Sequence, residues 1–379
     1  MFSEKKILLY EPYYDRSGHF KKYYHLYFDR IKKSGLTPLG IIGKYSSDTT
    51  SNDTYIFKLN DRSKFTRIFS NFFGYRKLKL AHTRSESKLI HLLDFEILTL
   101  ATFLLFNYQK LRKTKIVLSL HSTNYFNSSN NLFINLYSIF AKFAYKLLDK
   151  LFDVLIVTNG SIITNNFTKF VELKRTRIVT SSWGSDIKPS LHLKKKKNSF
   201  LFLGIIRRDK NPDYLIREMA KINKNFSLTI AGHLSGYTEE EFRNIISKSN
   251  IPEYKVNLQP GFLSSATYLN LLETHQYIIL PYKPFNQSSS GPLIDAIQTQ
   301  TLPIVSNFGE RGYIVNKNKI GFGFDFQKNH LSEIIREILL NPESEKINSY
   351  TKNIKKIGPS YTWDFVLDTL ITKDKIYED

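Results

Sequence analysis

Three serines and a glycine at 288–291, followed by Pro292 and, one turn further on, by Asp295, are the residues of this chain whose types and spacing most suggest chemistry. They follow an apolar run at 278–280 that ends at Pro281, as a buried parallel strand does, and a polar loop at 282–287. Pro292 suits the first turn of a helix, so the segment reads strand, loop, helix start. Such a start binds anions, phosphate above all, because unpaired N–H groups and the helix dipole point the same way. A carboxylate at Asp295 can accept hydrogen bonds from a ribose diol, as acidic residues do in other nucleotide-binding α/β folds. Alone, the stretch reads equally well as a serine-rich helix cap.

Two further segments share its setting. In the first, Gly204 ends an apolar run and Arg207, Arg208 and Lys210 follow just before a helical pattern. Cations there neutralise a diphosphate, arginine in bidentate fashion, although in isolation a solvated turn is the plainer reading. In the second, Gly261, Phe262 and Leu263 offer backbone atoms and an aromatic face to a base. All three segments stand at the carboxyl ends of successive strands, the edge where doubly wound sheets bind ligands, and together they favour a nucleotide site. In the first half, Gly18 and His19 occupy a strand-to-helix turn, and His121 stands at the carboxyl end of the strand at 115–120. A lone histidine there is as often a hydrogen-bonded loop residue as a functional one. There is no cysteine, no Asp-x-Asp and no acidic pair with metal spacing, so no metal is expected.

The elements that position these residues repeat one pattern twice. Strands at 6–10, 38–42, 54–58, 88–93, 115–120, 154–158 and 177–180 alternate with helical stretches at 20–34, 62–80 and 132–148. A run of four lysines, 194–197, reads as a linker. A second alternation follows, with strands at 199–203, 226–231, 255–258, 276–280 and 302–305. This predicts two doubly wound parallel α/β domains, 1–193 and 194–358, and a terminal helical piece at 359–379. The 379 residues suffice for both. The amino terminus lacks a signal-peptide pattern, and no apolar run is long enough to span a bilayer.

The order and spacing resemble the GT-B glycosyltransferases, specifically the family 4-like (group 1) retaining enzymes, most clearly over 199–326. The resemblance implies two Rossmann-like domains facing across a cleft, with a carboxy-terminal helix returning toward the first. It implies a sugar transferred from a nucleotide-diphosphate sugar, as co-substrate and without other cofactor, to a glycan or lipid-linked acceptor in cell-surface polysaccharide synthesis. Arg207, Lys210, Ser289, Ser290 and Gly291 would hold the diphosphate, Asp295 the ribose, and Gly261, Phe262 and Leu263 the base. His121 maps onto the family's active-site histidine. Gly18, His19, Gln287 and Ser288 fall on the donor-sugar or acceptor side. The family's Glu-x7-Glu motif appears with Gln287 and Asp295 at its ends, and the acceptor-side His-Gly turn appears as Trp183-Gly184. These departures keep a second expectation open, a catalytically silent GT-B scaffold that binds a glycan or a partner enzyme.

Charge adds a partner. Residues 1–200 carry 34 Lys and Arg against 14 Asp and Glu, whereas residues 201–379 carry 21 against 20. The basic half suits an anionic membrane surface better than nucleic acid, for which no binding motif is present. The helical stretch 62–80, rich in Phe, Arg and Lys, is the expected contact, while 132–148 reads more readily as core. A cytoplasmic protein, peripheral on the inner face of the membrane, is expected.

Overall fold

The computed structural model describes residues 5–16, 19–46, 54–60, 64–121, 126, 131–189, 194–328 and 330–378. Apolar runs too continuous for one-sided burial pair in parallel and are covered on both faces. In the first half these are β1 (Lys6–Glu11), β2 (Thr37–Lys44), β3 (Thr54–Lys58), β4 (Leu89–Leu92), β5 (Lys115–Leu120), β6 (Asp153–Asn159) and β7 (Arg177–Ser181). They form one sheet in the order β3-β2-β1-β4-β5-β6-β7. In the second half β8 (Lys196–Leu203), β9 (Ser227–Gly232), β10 (Val256–Pro260), β11 (His275–Leu280), β12 (Leu302–Ser306) and β13 (Phe322–Phe324) form a sheet in the order β10-β9-β8-β11-β12-β13. Strand order reverses at β1/β4 in one sheet and at β8/β11 in the other, and each reversal opens a crevice at the carboxyl edge.

The chain divides into two compact units, Met1–Ser182 with Leu367–Asp379, and Trp183–Val366. The division at 182/183 precedes the lysine run read as a linker. Lys196 and Lys197 already belong to β8. Lys195 is tied down as well, its Nζ donating to the carbonyls of Leu272 and His275, both at 3.0 Å, and to Thr301 Oγ1 at 2.9 Å. Trp183-Gly184 falls in the second unit, where the Trp183 ring meets Trp363 edge-on at 5.1 Å.

Each sheet has its own core, one built around Leu8, Ile90, Leu118 and Ile156, the other around Phe202, Ile230, Ile279 and Ile304. The helix Trp363–Asp368 continues into a π-helical turn, Thr369–Lys373, and from Leu367 the chain belongs to the first unit. There Arg30 pairs with Asp368, and the Tyr377 hydroxyl bonds His91 Nδ1 at 2.7 Å. The helix Ser161–Phe170 between β6 and β7 has no counterpart in the sequence reading, and neither do Gly309–Asn318, Leu331–Leu340 and Glu345–Ile357. The asparagines, threonines and β-branched residues of Ser161–Phe170 are weak helix formers, and burial of Ile163, Phe167 and Phe170 supplies what propensity lacks.

Candidate functional site

In the second unit the site grows from the end of β8. Gly204 has φ +105, and a Cβ built on it would stand 3.5 Å from Lys210 Nζ and 3.4 Å from Pro292 Cγ. The glycine turn, the lysine and the start of the helix Gly291–Gln298 therefore converge on one spot. Gly232, at the end of β9, has φ +139, and a side chain there would collide with the Gly204 carbonyl. Both positions need glycine for their conformation, and Gly232 needs it for closeness as well.

Arg207 grips Asp209 with its fork, Nε to Oδ1 and Nη2 to Oδ2, both at 2.9 Å. Asn286 Nδ2 donates to the same carboxylate at 2.8 Å, and the Lys283 amide donates to the Asp209 carbonyl at 2.9 Å. Burial pushes the Asp209 carboxyl up, but the Arg207 bonds and charge and the Asn286 amide outweigh it and hold it below the usual carboxylate range. This locks the loop after β8 to the loop after β11. Lys210 has no carboxylate partner among the described residues, and its ammonium stands 5.3 Å from the centre of the Tyr282 ring.

The same ring also meets a buried arginine. Arg311 lies at the start of the helix Gly309–Asn318, with its guanidinium 4.4 Å from the Tyr282 centroid. Its Nη1 donates to Ser288 O at 2.7 Å and Asn286 Oδ1 at 3.3 Å, and its Nη2 to Asn286 O. Burial pulls its pKa down to about 10, while Tyr282 and Asp209 act in the other direction. The Gln287 carbonyl accepts from the Glu310 amide at 3.1 Å. The loop carrying Gln287 and Ser288 is thus pinned from behind.

The serines are left open for something else. Ser288 Oγ donates to Asn286 Oδ1 at 3.2 Å, but the hydroxyls of Ser289 and Ser290 are buried without a partner. Ser290 occupies the cap position of Gly291–Gln298, yet its side chain caps nothing. An unsatisfied buried hydroxyl is costly, and an oxyanion at the helix start satisfies two at once. Asp295 is already engaged, Oδ1 accepting from Ser185 Oγ at 2.6 Å and Oδ2 from the Tyr268 hydroxyl at 2.8 Å. At the ends of β9 and β10, the Gly261 amide donates to Gly232 O at 3.1 Å. Beside it Phe262, 83% exposed, stacks on His233 with centroids 4.4 Å apart and planes 11° from parallel. Leu263 turns inward against the core.

In the first unit His121 stands at the end of β5. Its Nε2 lies 2.7 Å from Leu93 O, which can only accept, so Nε2 carries the proton and Nδ1 accepts from Asn159 Nδ2. Burial, with the nearby His19 charge, lowers its pKa to about 4, against the bond to Leu93, so the ring is neutral. His19 meets it edge-on at 6.3 Å, and Gly18 lies outside the described residues. Below this surface His91 is sealed in, bonding Ser119 Oγ at 2.9 Å besides Tyr377. Glu11, buried at the end of β1, has a carboxyl raised by burial and by Asp94.

The structure therefore brings together Gly204, Lys210, Ser289, Ser290 and Gly291, and ties Arg207 to them through Asp209 and Asn286. Phe262 forms a separate shelf on the neighbouring strands, and His19 and His121 sit together in the other unit. Arg311, Tyr282, Asp209, Asn286, His233 and Asn159 escaped the sequence reading. Only His233 and Asn159 left a trace, since each stands at a strand's carboxyl end.

Residues 185–357 match the family model described as glycosyl transferases group 1. No curated protein sequence matches the chain. Among solved structures, sucrose-phosphate synthase from Thermosynechococcus elongatus superposes with a TM-score of 0.74 at 14% identity, covering 98% of each chain. WaaG, a glycosyltransferase involved in lipopolysaccharide biosynthesis, gives 0.67 at 12% identity over 99% of this chain and 100% of its own. Anabaena HepE in complex with UDP-glucose gives 0.66 at 13% identity over 98% and 99%. At these identities the structures speak for the fold, two parallel-sheet Rossmann-like units of the GT-B kind. The group 1 glycosyl transferase match thus covers nearly all of the second unit, and the fold of both units is that of the GT-B neighbours.

Proposed function

We propose that this protein is a glycosyltransferase that moves a sugar from a nucleoside-diphosphate sugar to a glycan or lipid-linked acceptor, with retention at the anomeric carbon and without a metal, in cell-surface polysaccharide synthesis. The carrying observation is the pair of buried, unpartnered hydroxyls of Ser289 and Ser290 at a helix start, beside the unpaired Lys210. HepE, solved with UDP-glucose, makes a uridine nucleotide the first donor to try, and WaaG's part in lipopolysaccharide biosynthesis supports a lipid-linked acceptor.

In this proposal Ser289, Ser290, the Gly291 amide, Lys210 and Arg207 take the diphosphate, and their fixed dipoles and charges stabilise it as the anomeric C–O bond breaks. The acceptor hydroxyl forms the new bond, and its proton passes to an oxygen of the departing diphosphate. His233 and Phe262 stack the base. Asp295 takes the ribose by exchanging one of its hydroxyl partners. His121, neutral, serves the donor sugar once it gives up its bond to Leu93 or Asn159. Gln287 and Ser288 face the sugar, and Gly18 and His19 the sugar or acceptor side.

Among the described residues no helix is long and apolar enough to cross a membrane, and no group of His, Asp and Glu is placed to hold a metal ion. A cytoplasmic place, peripheral on the inner membrane face, belongs to the proposal. Isotope-labelled donor turnover tests it: Arg207→Ala with Lys210→Ala abolishes transfer, and normal transfer by that double variant would refute the site. Gln287 in place of a carboxylate and the occupied nitrogens of His121 favour a second reading, the silent scaffold. Saturable nucleotide binding without turnover of any donor would select that reading.

A further inference from the structure

The helix Leu132–Leu151 buries Ala141, Ala144, Tyr145 and Leu148 and turns a second apolar face outward. Leu132, Phe133, Leu136, Ile139, Phe140 and Phe143 recur at helical spacing along it, all exposed, Phe133 by 81% and Phe143 by 66%. This corrects the expectation that the segment is chiefly core. The helix Ile97–Phe106 packs alongside and adds Phe106, 84% exposed, and the helix Lys64–Ser85 lies beyond it with Phe72, Phe73 and Leu80 on its surface. Large apolar faces of this kind are rare on soluble proteins unless something covers them.

Charge identifies the cover. Lys142, Lys146 and Lys150 follow the apolar ridge every four residues, and Arg76, Lys77 and Lys79 accompany Phe73 and Leu80. These three helices contain a single acid, Asp149, which is buried and accepts the amides of Lys174, Arg175 and Thr176. A second copy would set lysines against lysines, whereas an anionic bilayer matches both the apolar ridge and the charge beside it.

We infer that the outward face of Leu132–Leu151, with Phe106, inserts into the headgroup region of an anionic membrane and docks the first unit on it. The inference rests on the proposed membrane-bound acceptor and names the surface that reaches it. Co-sedimentation of the full chain tests it, with vesicles of phosphatidylcholine alone or mixed equally with phosphatidylglycerol. The chain binds the mixed vesicles, and Phe133→Ser, Phe140→Ser, Phe143→Ser together lower that binding at least about tenfold, as loss of buried apolar surface demands. Lys142→Glu with Lys146→Glu lowers it too, and salt weakens it further. Failure of the unaltered chain to bind the mixed vesicles, or equal binding by the triple-serine variant, overturns the inference. So does a concentration-dependent dimer, seen by light scattering, that the same three serines abolish. UDP titrations on the same variants separate the two claims: unchanged nucleotide affinity with no vesicle binding removes the docking face and leaves the donor site standing.

Discussion

Ser289 and Ser290 carry hydroxyls that the protein itself leaves unsatisfied, so their removal should separate folding from binding. Ser289→Ala and Ser290→Ala remove no protein hydrogen bond and are expected to leave urea stability unchanged or slightly raised. Nucleoside-diphosphate affinity should fall several-fold per serine, about 1 kcal/mol for each lost bond. Calorimetry and urea titration on the same samples check both halves. Arg311 should behave in the opposite way. Its guanidinium reaches no substrate in this account, but three acceptors of the loop 286–288 depend on it. Arg311→Met should cost roughly 3 kcal/mol of stability and Arg311→Lys most of that, since an ammonium lacks the fork. His91 supplies a pH signature. Burial lowers its pKa from 6.5 to about 3, so the fold excludes a proton that the unfolded chain binds. Its contribution is complete above about pH 6.5 and declines by roughly 1.4 kcal/mol per pH unit toward pH 3. Glu11, raised by burial, acts in the opposite sense. The difference between the denaturation curves of the native chain and His91→Gln isolates the histidine. At this scale the sequence was readable where backbone geometry chooses the residue, as at Gly204 with its φ of +105. It was silent on Arg311, because an arginine near a helix start reads as surface until the neighbouring loop folds over it.

At the scale of elements, parallel strands were legible because burial on both faces leaves unbroken apolar runs, as in Ile7–Leu9 of β1 and Ile278–Leu280 of β11. Helices were harder. Ser161–Phe170 owes its form to three buried side chains rather than to propensity, and Leu132–Leu151 has apolar residues on both faces, so periodicity could not say which was inside. The turns between elements carry the strictest geometry. Gly232→Ala places a methyl against the Gly204 carbonyl at φ +139 and should destabilise by about 2 kcal/mol or more, read by urea denaturation. Because Gly204 shapes the spot where Lys210 and Pro292 meet, the same change should weaken nucleotide binding as well.

The whole molecule consists of two units with separate cores, and its charge is uneven along the chain, residues 1–200 being strongly basic and residues 201–379 near neutral. The residues given donor roles other than His121 and the sugar-side pair Gly18 and His19 lie in the second unit, and the outward apolar ridge lies in the first. The terminal segment from Leu367 is part of the first unit's interior, where Tyr377 completes the bonding of His91. Tyr377→Phe should therefore destabilise that unit by about 1–3 kcal/mol and leave nucleotide affinity unchanged. The central claim concerns the second unit alone, that the helix start at Ser290 and Gly291 grips a diphosphate with Lys210 and Arg207. Calorimetric titration of the full chain with UDP and the other common nucleoside diphosphates measures it directly. The account predicts saturable one-to-one binding of at least one of them, weakened tenfold or more, about 1.4 kcal/mol, by Arg207→Ala with Lys210→Ala. No saturable binding of any of them, or an affinity untouched by the double substitution, would contradict it.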